Sequence, residues 1–120
     1  MIKVYGIKNC DSVKKAIKFF KEHSLEHSLH DFKTDPVSCD KVSLWLKDVP
    51  LKTLFNARSS TYRNLNLKEK DLNDSEQIDW LCKENLLIKR PVIEFQESVI
   101  VGFNEENYTG VFLWVKRKQK

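Results

Sequence analysis

The 120-residue chain contains no apolar run approaching the ~18 residues of a membrane-spanning helix, so a helical span is excluded on sequence grounds. Its start, Met1-Ile2-Lys3-Val4, lacks a secretory-signal pattern and runs straight into alternating residues, and a cytoplasmic protein is expected. Cysteine is scarce. Cys10, Cys39 and Cys82 are odd in number and widely separated, which suits free thiols in a reducing compartment better than a disulfide framework. No aromatic-basic motif accompanies the lysines and arginines; the net charge of +4 owes its excess to Lys116-Arg117-Lys118-Lys120, which reads as a solvated tail. Specific nucleic-acid binding is therefore not expected. What remains, 41% hydrophobic and 32% charged residues, argues against disorder and for one compact domain, placed at residues 1–115 with a basic tail at 116–120.

The chain is organised around its beginning. Ile2 and Val4 alternate with Lys3 and Tyr5 as in a strand, and Val13, Ala16, Ile17 and Phe20 then recur at the spacing of one helix face. Asp11 or Ser12 can cap that helix. Cys10 stands at the junction, where the helix's unpaired amides and dipole favour the thiolate, the nucleophilic form. Lys8, Lys14 and Lys15 act in the same direction and Asp11 against it. Position alone leaves a reactive and a space-filling Cys10 both open.

Glu26 to Phe32 resumes strand alternation, and strand, helix and strand in succession predict a parallel crossover unit. His23, His27 and His30 do not make a metal site on this reading, because a strand turns His27 and His30 to opposite faces. After the turn Thr34-Asp35-Pro36, Ser38 can cap a helix bearing Val42, Trp45, Leu46 and Val49, with Cys39 incidental in its first turn. Leu51, Leu54 and Phe55 suggest a short helix behind Pro50. The polar loop Asn56-Ala57-Arg58-Ser59-Ser60-Thr61-Tyr62-Arg63 follows. Asp74 with Gln77 reads as a capping box for a helix through Glu84, with Cys82 a core thiol. The block of about 38–85 has no strand pattern and reads as a helical insertion. Two β-rich runs, up to Phe95 and from Val99, flank the polar turn Gln96-Glu97-Ser98 as an antiparallel hairpin, and Asn104 can cap a last helix bearing Tyr108, Val111, Phe112 and Val115. The trace predicts an α/β fold with a four-stranded mixed sheet and flanking helices.

Three separated motifs, Tyr5-Gly6-Ile7-Lys8-Asn9-Cys10, the loop from Asn56 to Arg63, and Leu87-Ile88-Lys89-Arg90-Pro91-Val92-Ile93 followed by Val101-Gly102-Phe103-Asn104, together resemble the arsenate reductase/Spx family (ArsC/Spx/YffB type). The resemblance runs from about Ile2 to Phe112 and implies a thioredoxin-like (glutaredoxin-like) core with a helical insertion. It implies that Cys10 is the nucleophile and Arg90 its catalytic companion, ahead of a cis Pro91. Asn9, Lys14, Arg58 and Pro91 are the implied substrate-binding residues, with no metal and no bound cofactor. Two departures bear on the substrate. Arginines of the arsenate-reducing branch are missing at Asn56 and at Val101-Gly102-Phe103, and charge-assisted contacts are worth about 1.5–3 kcal/mol each, which argues against arsenate. Val13 stands where typical Spx regulators carry the second cysteine of a Cys-x-x-Cys switch.

Two functions follow from the resemblance. One is a single-cysteine thiol-disulfide reductase, with glutathione or another small thiol or disulfide as co-substrate and glutaredoxin as a possible protein partner. The other is an Spx-like regulator that binds RNA polymerase. On either reading no membrane is involved.

Overall fold

The buried Ile2 and Val4 on one face and the buried Tyr5 on the other make Ile2–Gly6 (β1) a strand covered on both sides. The computed structural model describes residues 1–113; Val115 and the basic run of 116–120 lie outside the described residues. Strand β1 is followed by helix α1 (Asp11–Glu22) and strand β2 (His27–Asp31), which runs parallel to β1 in the register Ile2↔His27 to Gly6↔Asp31. On its other edge β1 pairs antiparallel with β3 (Val92–Phe95), and β3 pairs antiparallel with β4 (Ser98–Val101). The sheet order β2-β1-β3-β4 is the mixed four-stranded arrangement expected from the trace.

Between β2 and β3 lie α2 (Cys39–Leu46), α3 (Leu51–Leu54), α4 (Ser60–Asn64), a 3-10 turn at Leu67–Lys70, α5 (Asp74–Lys83) and a second 3-10 turn at Asn85–Leu87. The sheet separates two apolar cores. Tyr5 and Val92 pack with Trp45, Leu54, Leu81 and Ile88 of this helical block, whereas Val4 and Ile93 pack with Val13, Phe20, Tyr108 and Phe112 on the opposite face. Tyr108 ends α6 (Glu105–Tyr108), which is capped by Asn104 through the amide of Asn107 and continues as a π-helical turn to Leu113. His27 leans on Phe20 and His30 stacks on Tyr5 at 4.8 Å, so the two rings do face opposite sides.

Several local expectations are corrected. Cys39 and Cys82 are not free thiols: they form a disulfide with a Cα–Cα separation of 4.8 Å, so Cys39 is a bonded residue of α2, and Cys82, expected as a core thiol, is half-buried and bonded. The reason is tertiary, since packing α2 against α5 brings together residues separated by 43 positions. The capping box of α5 is Asn73 with Glu76 instead of Asp74 with Gln77; the Asn73 side chain accepts from the Glu76 amide and Glu76 reaches back to the Asn73 amide. The hairpin turn is two residues, Gln96 and Glu97, both with positive φ (49° and 65°), and Ser98 already belongs to β4.

Glu94, on the helical-block face of β3, binds the insertion to the sheet. Its Oε2 accepts from Lys41 Nζ at 3.0 Å and Trp45 Nε1 at 2.8 Å, and its Oε1 accepts from Tyr5 Oη at 3.1 Å. Burial pushes this carboxyl up, but the hydrogen bonds from Trp45 and Lys41, the Lys41 charge and the Tyr5 hydroxyl outweigh it, and the pKa lies below its ordinary value of 4.5. Burial, then the Glu94 charge, pushes Tyr5 up to about 12. A lowered carboxylate contributes stability that is present above pH 4.5 and is lost as pH falls through the folded value; a raised phenol contributes stability present below pH 10.0 and lost as pH rises toward about 12. In equilibrium unfolding followed across pH, Glu94→Gln is expected to flatten the acid limb below pH 4.5, and Tyr5→Phe the alkaline limb between 10.0 and about 12.

Candidate active site

Cys10 is itself the N-cap of α1, with extended backbone (φ −100°, ψ 125°), and its side chain makes no capping hydrogen bond. Asp11 is the first helical residue, so neither Asp11 nor Ser12 is the cap. The correction places the thiol nearer than expected to the first-turn amides, which have no intrahelical acceptors. Backbone bonds fix it there: Cys10 N–H donates to Ile7 O at 3.4 Å, and Lys14 N–H donates to Cys10 O at 2.9 Å. The approach loop is held to the end of β2 by Lys8 N–H on Asp31 Oδ2 and Phe32 N–H on Gly6 O. Cys10 is half-buried against the α1 core and is the free cysteine of the described residues.

Gly6 lets the loop, α1 and the Arg90 segment meet. A Cβ at this position would lie 2.6 Å from Val13 Cγ2 and 3.7 Å from Arg90 Cβ. Val13, at the place of an Spx second cysteine, is fully buried and cannot move aside cheaply. Gly6→Ala is accordingly expected to destabilise the fold by about 1–3 kcal/mol through overpacking, read from the denaturation midpoint.

Arg90 reaches the same place from the other half of the chain. The loop after α3 is stitched to its segment by Asn56 N–H on Leu87 O and Lys89 N–H on Leu54 O, both at 2.8 Å. The Arg90-Pro91 bond is cis, as the resemblance implied, and the buried Pro91 accepts from Gly102 N–H at 2.8 Å. The half-buried Arg90 donates through Nη1 to Leu86 O at 3.0 Å; its Nε is buried with no hydrogen-bond acceptor among the described residues. It does not pair with Glu94, which is taken by Lys41, Trp45 and Tyr5. Ser12, Lys89, Arg90, Gly102, Asn104 and Tyr108 line part of one cavity of about 420 Å³ beside the first turn of α1. Burial pushes the Tyr108 phenol up, keeping it a neutral donor to Gly102 O at 2.6 Å.

Of the sequence-predicted residues, Arg90 lines this cavity together with Ser12 of the first turn of α1, whereas Cys10, Asn9, Lys14 and Pro91 do not: Cys10 is the half-buried N-cap of that helix, Asn9 and Lys14 are exposed near it in sequence, and Pro91 is buried. Arg58 is different. Its side chain is exposed, while its backbone N–H donates to Asn56 Oδ1 and its carbonyl accepts from Arg63 Nη1, so the structure shows it as part of a loop scaffold and not in this cavity. Ser12 and Asn104 entered the sequence reading as helix caps, and Lys89 and Asn104 as members of a motif, but none of the three as a site residue.

The sequence pattern of the ArsC family matches residues 5–111. An uncharacterised protein of Haemophilus influenzae is 40% identical over 113 residues, covering 93% of this chain and 99% of that protein. The global transcriptional regulator Spx of Lactiplantibacillus plantarum is 27% identical over 108 residues, 88% of this chain and 82% of Spx. The solved structure of a YffB protein superposes with a TM-score of 0.84 at 30% identity, covering 92% of this chain and 97% of that one. With a family match over nearly its whole described length and the thioredoxin-like sheet that goes with it, the chain belongs to the ArsC family.

Proposed function

We propose that this protein is a glutathione-dependent thiol-disulfide reductase that uses Cys10 as its single nucleophile. The observation that carries the reading is Arg90: a guanidinium fixed by Leu86 O that lines one cavity with Ser12, two residues after Cys10. An anionic group entering that cavity would meet the N–H groups that Arg90 does not spend on Leu86 O, in charge-assisted contacts. In the cycle, the Cys10 thiolate attacks one sulfur of a disulfide and releases the other as a thiolate, which takes up a proton. A glutathione thiolate then attacks the mixed disulfide and expels Cys10 as thiolate. The second thiol comes from solution, which suits the valine at position 13 and a glutathione-rich cytoplasm; glutaredoxin fits as a protein that removes the glutathionyl group. Exposed Asn9 and Lys14 would meet the peptide's carboxylates, whereas Arg58 would act through the 56–59 loop. Because Asn56 and the Val101-Gly102-Phe103 segment carry no cation, arsenate is a poor fit to the cavity.

The Spx relative favours a second reading, a regulator that docks on RNA polymerase. Paired assays separate them: capture of RNA polymerase by immobilised protein supports the regulator, and glutathione-coupled reduction of a small disulfide supports the enzyme. Arg90→Ala is expected to slow mixed-disulfide formation at Cys10 more than tenfold, from losing about 1.5–3 kcal/mol of charge-assisted contact in the transition state. Stopped-flow kinetics with glutathione disulfide measures this. An unchanged rate removes Arg90 from the chemistry.

A further inference from the structure

We propose that Cys39 and Cys82 form a second redox site, a dithiol-disulfide pair that exchanges two electrons with small thiols and disulfides and whose state is transmitted to Arg90. The two residues come from different helices and lie 4.8 Å apart at Cα. Cys39 is exposed at the first turn of α2; Cys82 is half-buried near the end of α5, at the rim of a cleft of about 270 Å³ lined by Phe32, Lys33, Pro36 and Asn85. Exposed disulfides are the exchangeable ones, since an attacking thiolate must reach a sulfur in line. Here Cys39 is the exposed member of the pair.

The exchange balances without metal or cofactor. In reduction, a thiolate attacks Cys39 Sγ, the Cys39–Cys82 bond breaks, and Cys82 leaves as a thiolate that is protonated. A second thiolate attacks the external sulfur of the mixed disulfide and frees Cys39, so two thiols become one external disulfide. Oxidation runs in reverse: Cys39 attacks a small disulfide, and Cys82 then expels the remaining thiolate and closes the internal bond.

The route to Arg90 is short and made of hydrogen bonds. Asn85, three residues beyond Cys82, donates through Nδ2 to Leu81 O at 3.0 Å and accepts at Oδ1 from Val37 N–H at 2.8 Å. It therefore ties together the same two segments that the disulfide joins. The next residue, Leu86, offers the carbonyl that holds Arg90 Nη1. With the bond closed, the 37–39 and 82–86 segments are held by the disulfide, the Asn85 bridge and the α2–α5 packing; with it open, only the bridge and the packing remain to position the Leu86 carbonyl that holds Arg90.

The pair's exchange does not depend on the role proposed for Cys10, while its coupling to reactivity rests on that reading, and two arms keep these apart. In the first, the full-length Cys10→Ser variant is equilibrated with mixtures of reduced and oxidised glutathione, quenched, alkylated and mapped by peptide mass spectrometry. Cys39 and Cys82 are expected to convert together, reversibly, in one two-electron step with an unchanged far-ultraviolet circular dichroism spectrum. Independent glutathione adducts on each thiol, or a bond that dithiothreitol opens only when the protein unfolds, would overturn the site. In the second arm, the alkylation rate of Cys10 is measured in wild type with the pair closed and open. A change of at least about twofold that disappears in Arg90→Ala is expected, the low end of coupling through packed networks. Equal rates in both states, or a change that survives in Arg90→Ala, would overturn transmission through Arg90. Cys39→Ala and Cys82→Ala, each mimicking the open state, are expected to reproduce the open-state rate.

Discussion

Cys10→Ser is expected to abolish disulfide reduction, by more than about a thousandfold or on the order of 4 kcal/mol of transition-state stabilisation, while leaving the protein as stable as before or more so. The loss follows from chemistry, because a serine hydroxyl is not ionised near neutral pH and forms no mixed disulfide. The gain follows from geometry. Position 10 is an N-cap with extended backbone and no side-chain hydrogen bond, and serine is among the best caps, worth typically about 1 kcal/mol over a non-capping side chain. Position 10 thus carries a poor cap where a good one would remove the thiol. Parallel thermal unfolding and coupled-assay measurements on the two proteins test both halves. A variant that keeps activity, or one that loses both activity and fold, contradicts this account of the position.

Opening the Cys39–Cys82 bond is expected to be the largest single change in stability. The bond closes a loop with a sequence separation of 43. Loop-closure entropy for such a length stabilises the fold by about 4 kcal/mol, between the values for 15 and 100 residues. In a chain of this size that corresponds to a fall of roughly 15 °C in melting temperature on reduction. The α2–α5 contact and the Asn85 bridge hold the segments after reduction, so the reduced protein is expected to melt earlier but cooperatively. Scanning calorimetry with and without dithiothreitol measures it; identical midpoints would mean that the segments are held as firmly by Asn85 and the core alone.

The fold was legible where one periodicity dominated. Ile2 and Val4 against Lys3 announced β1, and Val13, Ala16 and Phe20 announced the buried face of α1. Ser38 and Asn104 marked real helix starts because their side chains do accept the amides of Lys41 and Asn107. Cys10 stood out by its place at the strand–helix junction, whereas its role and Arg90 came from motif resemblance, and no spacing signal linked two residues separated by 80 positions. What was missed is tertiary or ambiguous. Asn73-Glu76 and Asp74-Gln77 are overlapping capping patterns that differ by one residue, and only the side-chain hydrogen bonds choose between them. The Gln96-Glu97 turn lacks the glycine or asparagine that normally marks two positive φ angles. The role of Glu94 was not legible either, because its partners Trp45 and Lys41 come from a helix some fifty residues away in sequence. Cys39 and Cys82 could be paired only once α2 lay against α5.

The central claim is that Cys10 is the reacting thiol, and intact-protein mass spectrometry after treatment with glutathione disulfide tests it most directly. The account predicts one glutathione per chain, mapped by proteolysis to Cys10, with the Cys39–Cys82 bond intact and the adduct removed by excess reduced glutathione. No adduct, an adduct confined to another residue, or an internal disulfide that includes Cys10 would contradict it.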